Sequence, residues 1–483
     1  MIFNSITYFI FLAIFVSIFW NIGVSKRKYL ISLGSVIFYG FWSFLFVPLI
    51  LFSSFSDFLI AQFIEKSRST KTKKLLLVLS IFINLGLLIF FKYSIFIQDN
   101  LIGIGSYFGF MIDPFLRNII LPIGISFYTF QTISYSVDVY REDIVAEKDV
   151  FTFISYVTFF PQLVAGPILR ASDVIPQIKA NPPSPVASDF VIGVRRIITG
   201  LFIKVVLADS IGIVVDKLFD LPLSSFSVID ISTLAFLFGF QIYFDFAGYS
   251  SIAIGSALLI GIKFPENFNF PYIAKTPRDF WLRWHISLSS WIRDYLYSSL
   301  AAVSKATKSG SQSGMDIRSL AIVPLFLTWG IMGLWHGASW TFVAWGLYHA
   351  ILITVFRVLY SLSFLSSNRK ILDLFWHICT LYLVMLSWIF FRSDSLNDSF
   401  TLYQAFFDGS KYFYLGLKEN YYLIAAILLS GFYSCYFWSK LDHQLVHFPA
   451  GFRYLTTILS NTLMVILIIV FMNDDMPFIY FQF

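Results

Sequence analysis

The stretch SLAIVPLFLTWGIMGLWHGASWTFVAWGLYHAILITVF, residues 319–356, indicates the fold class of this chain. Its 38 residues contain no Asp, Glu, Lys or Arg, and His336 lies near the centre. One unbroken helix of this length would run about 57 Å, whereas the hydrocarbon core of a bilayer is about 30 Å thick. The stretch is nevertheless short for two full spans and a turn. It therefore predicts a broken helix, with Gly330, Gly333 and Gly337 as the places for the break.

Two histidines stand out because they lie in apolar sequence: His336 in this stretch and His285 in Trp284-His285-Ile286-Ser287. An ionisable group at membrane depth is costly to keep and is a functional candidate by default. Imidazole can also exchange a proton near neutral pH. Non-helical backbone at membrane depth is tolerated where it is buried in protein or lines a cavity, so we expect His336 to face an internal cavity.

Composition assigns the whole chain to the polytopic membrane proteins. Of its 483 residues 58% are hydrophobic and 13% charged, and the mean hydropathy is +0.76. The longest loop-like stretches, residues 304–315 and 181–189, are too short to fold alone, so a single integral-membrane domain over residues 1–483 is predicted. Cys379 and Cys435 lie in apolar segments, which argues against a disulfide framework and a cysteine zinc site.

Basic residues predict the orientation of the first third. Residues 1–24 are predicted to be a first membrane helix, and the basic residues at 26–28 and 66–74 follow in short loops. Both loops are expected in the cytoplasm, with the N-terminus extracytoplasmic. Residues 29–64 must then leave and return, which predicts a short or broken helix pair around Trp42 to Pro48. These juxtamembrane charges account for the net charge of +6, so no nucleic-acid partner is predicted.

The remaining apolar runs predict an all-α membrane protein with about ten to twelve crossings, some of them broken or re-entrant. No fixed-period repeat and no pair of Gly/Pro-broken segments in corresponding halves is present, which weakens a transporter interpretation.

Residues 263–300 form the most polar block and are rich in aromatic residues. Thr276-Pro277-Arg278-Asp279 has the pattern of a helix start, with Thr as N-cap and Pro at the first helical position. Helical spacing then predicts one apolar stripe through Phe280, Trp284, Leu288, Trp291 and Tyr295. His285 lies at the margin of this stripe. The simplest interpretation is an interfacial amphipathic helix that is anchored by its aromatic and arginine side chains.

Several long motifs in order carry a resemblance to a known family. They are FQTISYSVDVYR at 130–141, FPQLVAGPI at 160–168, YFDFAGYS at 243–250, RDFWLRWHISLSSWIRDYLY at 278–297 and GLWHGASWTFVAWGLYH at 333–349. The chain resembles the membrane-bound O-acyltransferases, in the bacterial branch of alginate O-acetyltransferases and D-alanyl-lipoteichoic acid proteins. The family core spans about residues 122–348, and weaker similarity continues through 388–392 to 477–483.

The resemblance implies a fold that encloses a transmembrane tunnel, with His336 as the family's essential histidine and His285 as its second characteristic polar position. Neutral imidazole within hydrogen-bond reach can take the proton of an attacking hydroxyl, so His336 is predicted to be a general base, with an acyl-imidazole as the less favoured alternative. His285 would orient the donor or polarise its carbonyl.

The remaining candidates are polar residues with competing interpretations. Arg278 and Arg283, and less readily Lys275, could hold donor phosphates, although each could instead reach lipid headgroups. Asp245 is the one charged residue between Ile231 and Gly261, and either supports the site or pairs with Arg283 or another buried base. No cluster has metal-ligand spacing, so no metal is predicted. Interfacial or packing roles are preferred for the four other histidines, His349, His377, His443 and His447.

The predicted function is therefore O-acetyl transfer. Acetyl would come from a cytoplasmic thioester, most simply acetyl-CoA, and pass outward to a cell-surface or exported polysaccharide. The branch also implies a separate extracytoplasmic acetyltransferase partner. Two alternatives stay open: a D-alanyl relay for lipoteichoic acid, which shares the histidine motifs, and a proton-coupled transporter in which His336 carries the proton.

Overall fold

The computed structural model describes residues 1–117, 119–163, 166–180, 184–308, 322–361, 369–441, 450–472 and 478–479. The described part of the chain is helical and contains no strand. The helices group into two compact units. Unit 1 consists of Met1–Ile197 and Tyr249–Pro265, and unit 2 of Ile198–Gly248 and Glu266–Phe483.

Unit 1 contains the first nine helices and most of the tenth. They are α1 Ile6–Asn21, α2 Arg27–Gly40, α3 Val47–Lys66, α4 Thr70–Leu88, α5 Ser94–Tyr107, α6 Ile125–Tyr140, α7 Val150–Val157, α8 Phe160–Leu163, α9 Ala171–Ala180 and α10 Ala187–Leu201. The predicted break near Trp42 to Pro48 is confirmed, because α2 ends at Gly40 and α3 begins at Val47.

Unit 2 contains the later helices, and α12 runs across the division between the units. They are α11 Asp209–Phe219, α12 Val228–Leu258, α13 Pro277–Trp281, α14 Ile286–Trp291, α15 Ser298–Lys308, α16 Ile322–His336, α17 Trp340–Ser361, α18 Arg369–Arg392, α19 Leu396–Gln404, α20 Glu419–Leu441 and α21 Ala450–Phe471. Short 3-10 and π-helical segments join several of them, including a π-helical stretch at Phe202–Ala208.

Seven helical stretches among the described residues are long and apolar enough to cross a bilayer. They are Phe44–Lys66, Thr70–Tyr107, Ala187–Phe219, Val228–Leu258, Trp340–Leu359, Ile371–Arg392 and Glu419–Leu441. Four shorter apolar helices accompany them, at Ile6–Asn21, Val150–Leu163, Ile322–His336 and Leu455–Phe471. The chain is a multi-pass integral membrane protein.

A polar cluster holds α3, α4 and α6 of unit 1 together. Asp57 on α3 is fully buried and accepts hydrogen bonds from Ser80, from Asn84 Nδ2 at 2.6 Å and from Ser136 Oγ at 3.2 Å. Asn84 Oδ1 in turn accepts from Thr132 Oγ1 at 2.9 Å. Hydrogen bonds between helices stabilise packing in a membrane, where apolar side chains gain little from leaving the lipid.

The helix predicted through the stripe from Phe280 to Tyr295 is not continuous. Its start is confirmed, since the Thr276 side chain caps α13, but α13 ends at Trp281 and α14 begins at Ile286. Segment 267–269 causes the interruption: Asn269 N–H donates to Arg283 O and Ile286 N–H donates to Asn267 O, both at 2.9 Å. These bonds occupy backbone groups that a continuous helix would pair within itself.

The stripe is also not an interfacial one. Its five side chains are all at most 8% exposed. They pack inside the protein, which contradicts the interpretation of this segment as an amphipathic helix anchored at the membrane surface.

Candidate active site

The predicted break in the uncharged stretch falls at His336. Helix α16 ends at this residue and α17 begins at Trp340, so the two form a hairpin with His336 at its turn. Gly337, the first residue of the turn, packs against Phe342, where an added Cβ would lie 2.0 Å from the ring. The expected break beside His336 is confirmed at Gly337, whereas the prediction of a break at Gly330 or Gly333 is wrong, because both lie inside α16. The internal cavity stays a prediction.

Two glycines let the helices of this hairpin touch backbone to backbone. A Cβ on Gly333 of α16 would lie 2.2 Å from Phe342 O, and one on Gly346 of α17 would lie 2.1 Å from Trp329 O. Real Cβ atoms do not approach this closely, so only glycine permits the observed packing. Gly330, by contrast, has no neighbour closer than 3.8 Å.

The His336 imidazole lies among aromatic rings and is 3% exposed. Ring centroids of Trp335 and Trp345 lie 5.0 Å away, with Trp345 edge-on, and Phe391 of α18 lies at 5.5 Å. Such a surrounding fixes the ring by packing and lowers the local dielectric, which strengthens any electrostatic interaction inside it.

His285 is held by Asn267 in an unusual backbone conformation. The residue is fully buried, has φ 42° and ψ 55° in the left-handed region, and precedes α14. Asn267 Oδ1 accepts hydrogen bonds from Ser287 N at 3.3 Å and Ser287 Oγ at 2.9 Å, and lies 3.1 Å from His285 Nδ1. Strain of this kind persists where the surroundings over-determine it and is frequent at functional sites.

These contacts indicate the tautomer of His285. An atom that accepts a backbone N–H must be the amide oxygen, so His285 Nδ1 is the donor in its contact with Asn267. Burial lowers the pKa of the imidazole to about 3, which keeps it neutral. Nε2 is then the unprotonated nitrogen, and it has no hydrogen-bond partner among the described residues.

One indole is a neighbour of both histidines. The Trp335 ring centroid lies 6.5 Å from that of His285 and 5.0 Å from that of His336. His285 also meets the ring of Phe246 edge-on at 4.6 Å. The structure thus brings the two histidines that the sequence singled out into one aromatic cluster.

Arg278 and Arg283 lie on the short helix α13 and just beyond it. Arg278 is exposed. Arg283 is partly buried; its Nε lies 2.9 Å from Asp279 Oδ1 and its Nη1 donates to Asn269 O at 3.3 Å. Lys275 is exposed and pairs with Asp373 at 2.7 Å. Whether any of these side chains contacts a donor remains a prediction.

Asp245 pairs with Lys204, which was not among the residues predicted for the site. Its Oδ1 lies 2.5 Å from Lys204 Nζ, and Lys204 is also 2.6 Å from Asp209 Oδ1. Lys204, not Arg283, is therefore the buried base. A signal for it existed, because Lys204 is the one charged residue among positions 197–208 and mirrors the isolation of Asp245.

Two of the other histidines have structural contacts. His349 is fully buried, with Nε2 3.1 Å from Ser387 Oγ and Nδ1 accepting from Trp281 Nε1 at 3.3 Å. His377 Nδ1 lies 2.9 Å from Ala274 O. His443 and His447 lie outside the described residues.

Comparison with known proteins identifies the family. Residues 144–393, which include both histidines of the cluster, match the model of the membrane-bound O-acyltransferase family. The chain belongs to the membrane-bound O-acyltransferase family. It is therefore an acyltransferase, as its motifs predicted.

The relatives of this acyltransferase are named for different polymers. It is 37% identical to the "Probable alginate O-acetylase AlgI" of Pseudomonas aeruginosa over 84% of this chain and 75% of that protein. It is 34% identical to the peptidoglycan O-acetyltransferase of Helicobacter pylori, over 77% and 72%. With the teichoic acid D-alanyltransferase of Bacillus subtilis it shares 32% identity over 50% of this chain and 60% of that one.

Proposed function

We propose that this acyltransferase is an O-acetyltransferase that takes acetyl from a cytoplasmic thioester, acetyl-CoA in the simplest case, for O-acetylation of a cell-surface or exported polysaccharide. The observation that carries the proposal is the buried hairpin turn at His336, which shares the neighbouring Trp335 ring with His285, within the matched family region. The acetyl group is favoured over D-alanyl because the likeness to alginate O-acetylases covers 84% of the chain, whereas that to the D-alanyltransferase covers 50%.

In the proposed reaction His336 acts as general base. Its unprotonated nitrogen takes the proton of the acceptor hydroxyl while the hydroxyl oxygen attacks the thioester carbonyl carbon. The C–S bond then breaks, and the departing thiolate receives the proton from the imidazolium. The aromatic rings of Trp335, Trp345 and Phe391 supply a dry surrounding that limits competing hydrolysis.

His285 is proposed to orient a reacting group by accepting a hydrogen bond. With Nδ1–H directed to Asn267, the neutral ring presents an acceptor at Nε2. An acceptor can position a hydroxyl, a thiol or an amide N–H, but it cannot polarise a carbonyl by donating to it. The geometry thus favours the orienting role over the polarising one. Arg278 and Arg283 are proposed to hold phosphates of the donor, since Arg278 is exposed and Arg283 is only partly buried.

The topology is proposed to be about ten to twelve crossings around a transmembrane tunnel, with the N-terminus extracytoplasmic. Contacts in unit 1 support the prediction that the two basic segments lie on one side of the membrane, because Lys28 pairs with Asp149 and Lys73 pairs with Glu142 at 2.6 Å. Both basic segments therefore contact the same connection between α6 and α7, as residues of one membrane face would. Acetyl delivered outward would be received by a separate extracytoplasmic acetyltransferase.

Purified full-length protein in lipid nanodiscs, supplied with acetyl-labelled CoA, tests the function. We expect release of free CoA thiol, increased when the extracytoplasmic acetyltransferase and its polysaccharide acceptor are added, and its loss in His336→Ala. His377→Ala is the matched control, since this histidine has its own hydrogen bonds and should leave turnover unchanged. Full turnover in His336→Ala would contradict the assignment. Turnover only with a D-alanyl carrier thioester would replace acetyl by D-alanyl, and proton-coupled solute uptake without turnover would indicate a transporter.

A further inference from the structure

A buried group of three charges lies in unit 2 in addition to the aromatic cluster. Lys204 contacts the carboxylates of both Asp209 and Asp245, and the side chains of Lys204 and Asp245 are only 2% and 3% exposed. Buried charges are expensive, and removing one partner leaves the other uncompensated. Charges kept inside an apolar segment therefore call for a role beyond packing.

Glycine brings the two segments of this group close together. Gly248 follows Asp245 by one helical turn on α12, and a Cβ there would lie 2.8 Å from Gly200 O and 3.0 Å from Lys204 N. The backbone of α12 thus lies directly against the π-helical stretch Phe202–Ala208. This approach sets Lys204 Nζ beside the Asp245 carboxylate.

The second oxygen of Asp245 binds a distant part of the chain. Asp245 Oδ2 accepts the backbone N–H of Ile479 at 2.7 Å, and Ile479 is 5% exposed. The preceding residue, Phe478, is fully buried and packs on Phe246 with ring centroids 5.7 Å apart. Phe246 is the ring that meets His285 edge-on at 4.6 Å. A continuous series of contacts therefore runs from Lys204 to His285.

We propose that Lys204 is a positioning residue. It fixes the Asp245 carboxylate, which holds residues 478–479 against Phe246, and Phe246 in turn packs against the His285 ring. The lysine touches none of the reacting groups and acts through Asp245. Its effect on turnover rests on the proposed function, whereas its hold on residues 478–479 does not. These two consequences are measured separately.

The hold on residues 478–479 is tested by thiol labelling of the full-length protein in nanodiscs. In a Cys379→Ser, Cys435→Ser background, Ile479→Cys keeps the backbone N–H that Asp245 binds. We expect its reaction with a charged maleimide to be slow compared with that of Asp394→Cys, whose native side chain is 95% exposed. Equal rates in the otherwise unaltered protein would overturn the proposal.

Variants of the cluster then test the part played by Lys204. Without Lys204 the Asp245 carboxylate is no longer fixed, and its hydrogen bond from Ile479 N–H should be lost. Loss of a hydrogen bond to a charged group corresponds to about tenfold to a hundredfold in an equilibrium, so Lys204→Met should speed labelling at position 479 by that factor. Lys204→Arg should restore slow labelling. Asp216→Asn, which breaks the exposed Arg392 ion pair in the same unit, is the matched control and should change nothing.

Lys204→Met leaves the buried carboxylates of Asp209 and Asp245 without a cation. This uncompensated charge can unfold the protein by itself. The triple variant Lys204→Met/Asp209→Asn/Asp245→Leu removes all three charges at similar volume. We expect it to melt near the wild-type temperature, label fast at position 479, and show a lower kcat for acetyl-CoA with an unchanged KM. Slow labelling, or a wild-type kcat, in the folded variant would overturn the proposal. If the triple variant labels fast but the unaltered protein shows no turnover, the proposed function alone is refuted.

Discussion

Asn267 Oδ1 lies 3.1 Å from His285 Nδ1, and this contact determines which nitrogen of the imidazole is left for chemistry. The same atom accepts the backbone N–H of Ser287, which only the amide oxygen of Asn267 can do. Asn267 therefore interrupts the helix and also sets the tautomer of the histidine at the interruption.

Substitution of His285 should separate its backbone role from its chemical one. Asparagine tolerates the left-handed conformation that His285 adopts, so His285→Asn should keep the fold while it removes the group at Nε2. We expect acetyl-CoA turnover to fall by about tenfold to a hundredfold, as for loss of one positioned hydrogen bond. His285→Ala should lose both turnover and thermal stability. Wild-type turnover in a well-folded His285→Asn variant would show that Nε2 has no part in the reaction.

Acid should destabilise the protein through His285. Its folded pKa of about 3 lies below the ordinary value of 6.5, so the unfolded state binds more protons between these limits. The contribution of the buried neutral ring is complete above pH 6.5 and decreases as the pH falls towards 3. At pH 5 the deficit from this residue is about 2 kcal/mol. Melting temperatures measured in detergent from pH 7 to pH 5 should therefore fall less steeply for His285→Asn than for the wild type.

His285 should not contribute to the pH dependence of catalysis. Since His285 stays neutral from pH 5 to 8, any acidic limb of kcat/KM in that range belongs to another residue. His285→Asn should lower the rate while the apparent pKa of that limb stays in place. A displaced limb would indicate that His285 itself titrates during turnover.

Local sequence signals pointed to the candidate site residues but not to the residues that support them. The Thr276 cap and the break at His336 were predictable, because each follows from capping chemistry or from length against bilayer thickness. The interruption before Ile286 was not, since helical spacing carries no information about the segment that competes for the backbone groups. That competitor, segment 267–269, lies outside the stripe and has no distinctive pattern of its own.

The pairing of Lys204 with Asp245 could not be predicted from the sequence either. Lys204 and Asp245 are each isolated in apolar sequence, so each could be flagged, but they are 41 positions apart and on different segments. Their pairing depends on the π-helical stretch around Lys204 and on the close approach at Gly248. Neither feature can be predicted from the periodicity of hydrophobic residues.

Arg278 offers a test of donor binding that is independent of the histidines. If its exposed guanidinium contacts a donor phosphate, Arg278→Gln should raise the KM for acetyl-CoA roughly tenfold and change kcat little, because the contact exists before and during the reaction. Arg293→Gln is the matched control, since Arg293 is exposed and paired with Asp294 at 2.7 Å. Equal effects of the two variants would point to general surface electrostatics, and an unchanged KM in Arg278→Gln would remove this residue from the donor site.

The hairpin that carries His336 should tolerate a methyl group at one glycine and not at its neighbour. At Gly333 the added Cβ meets the carbonyl oxygen of Phe342 at 2.2 Å, and backbone cannot move aside without separating α16 from α17. Gly333→Ala should therefore cost about 1–3 kcal/mol of stability and displace His336, which ends the same helix. Gly330→Ala, one turn earlier with its nearest neighbour at 3.8 Å, should be neutral or stabilise the helix by about 0.5–1 kcal/mol. Melting temperature and turnover of both variants in nanodiscs check this, and a Gly333→Ala protein as stable and active as Gly330→Ala would mean that the close packing of this hairpin is not required to hold the histidine.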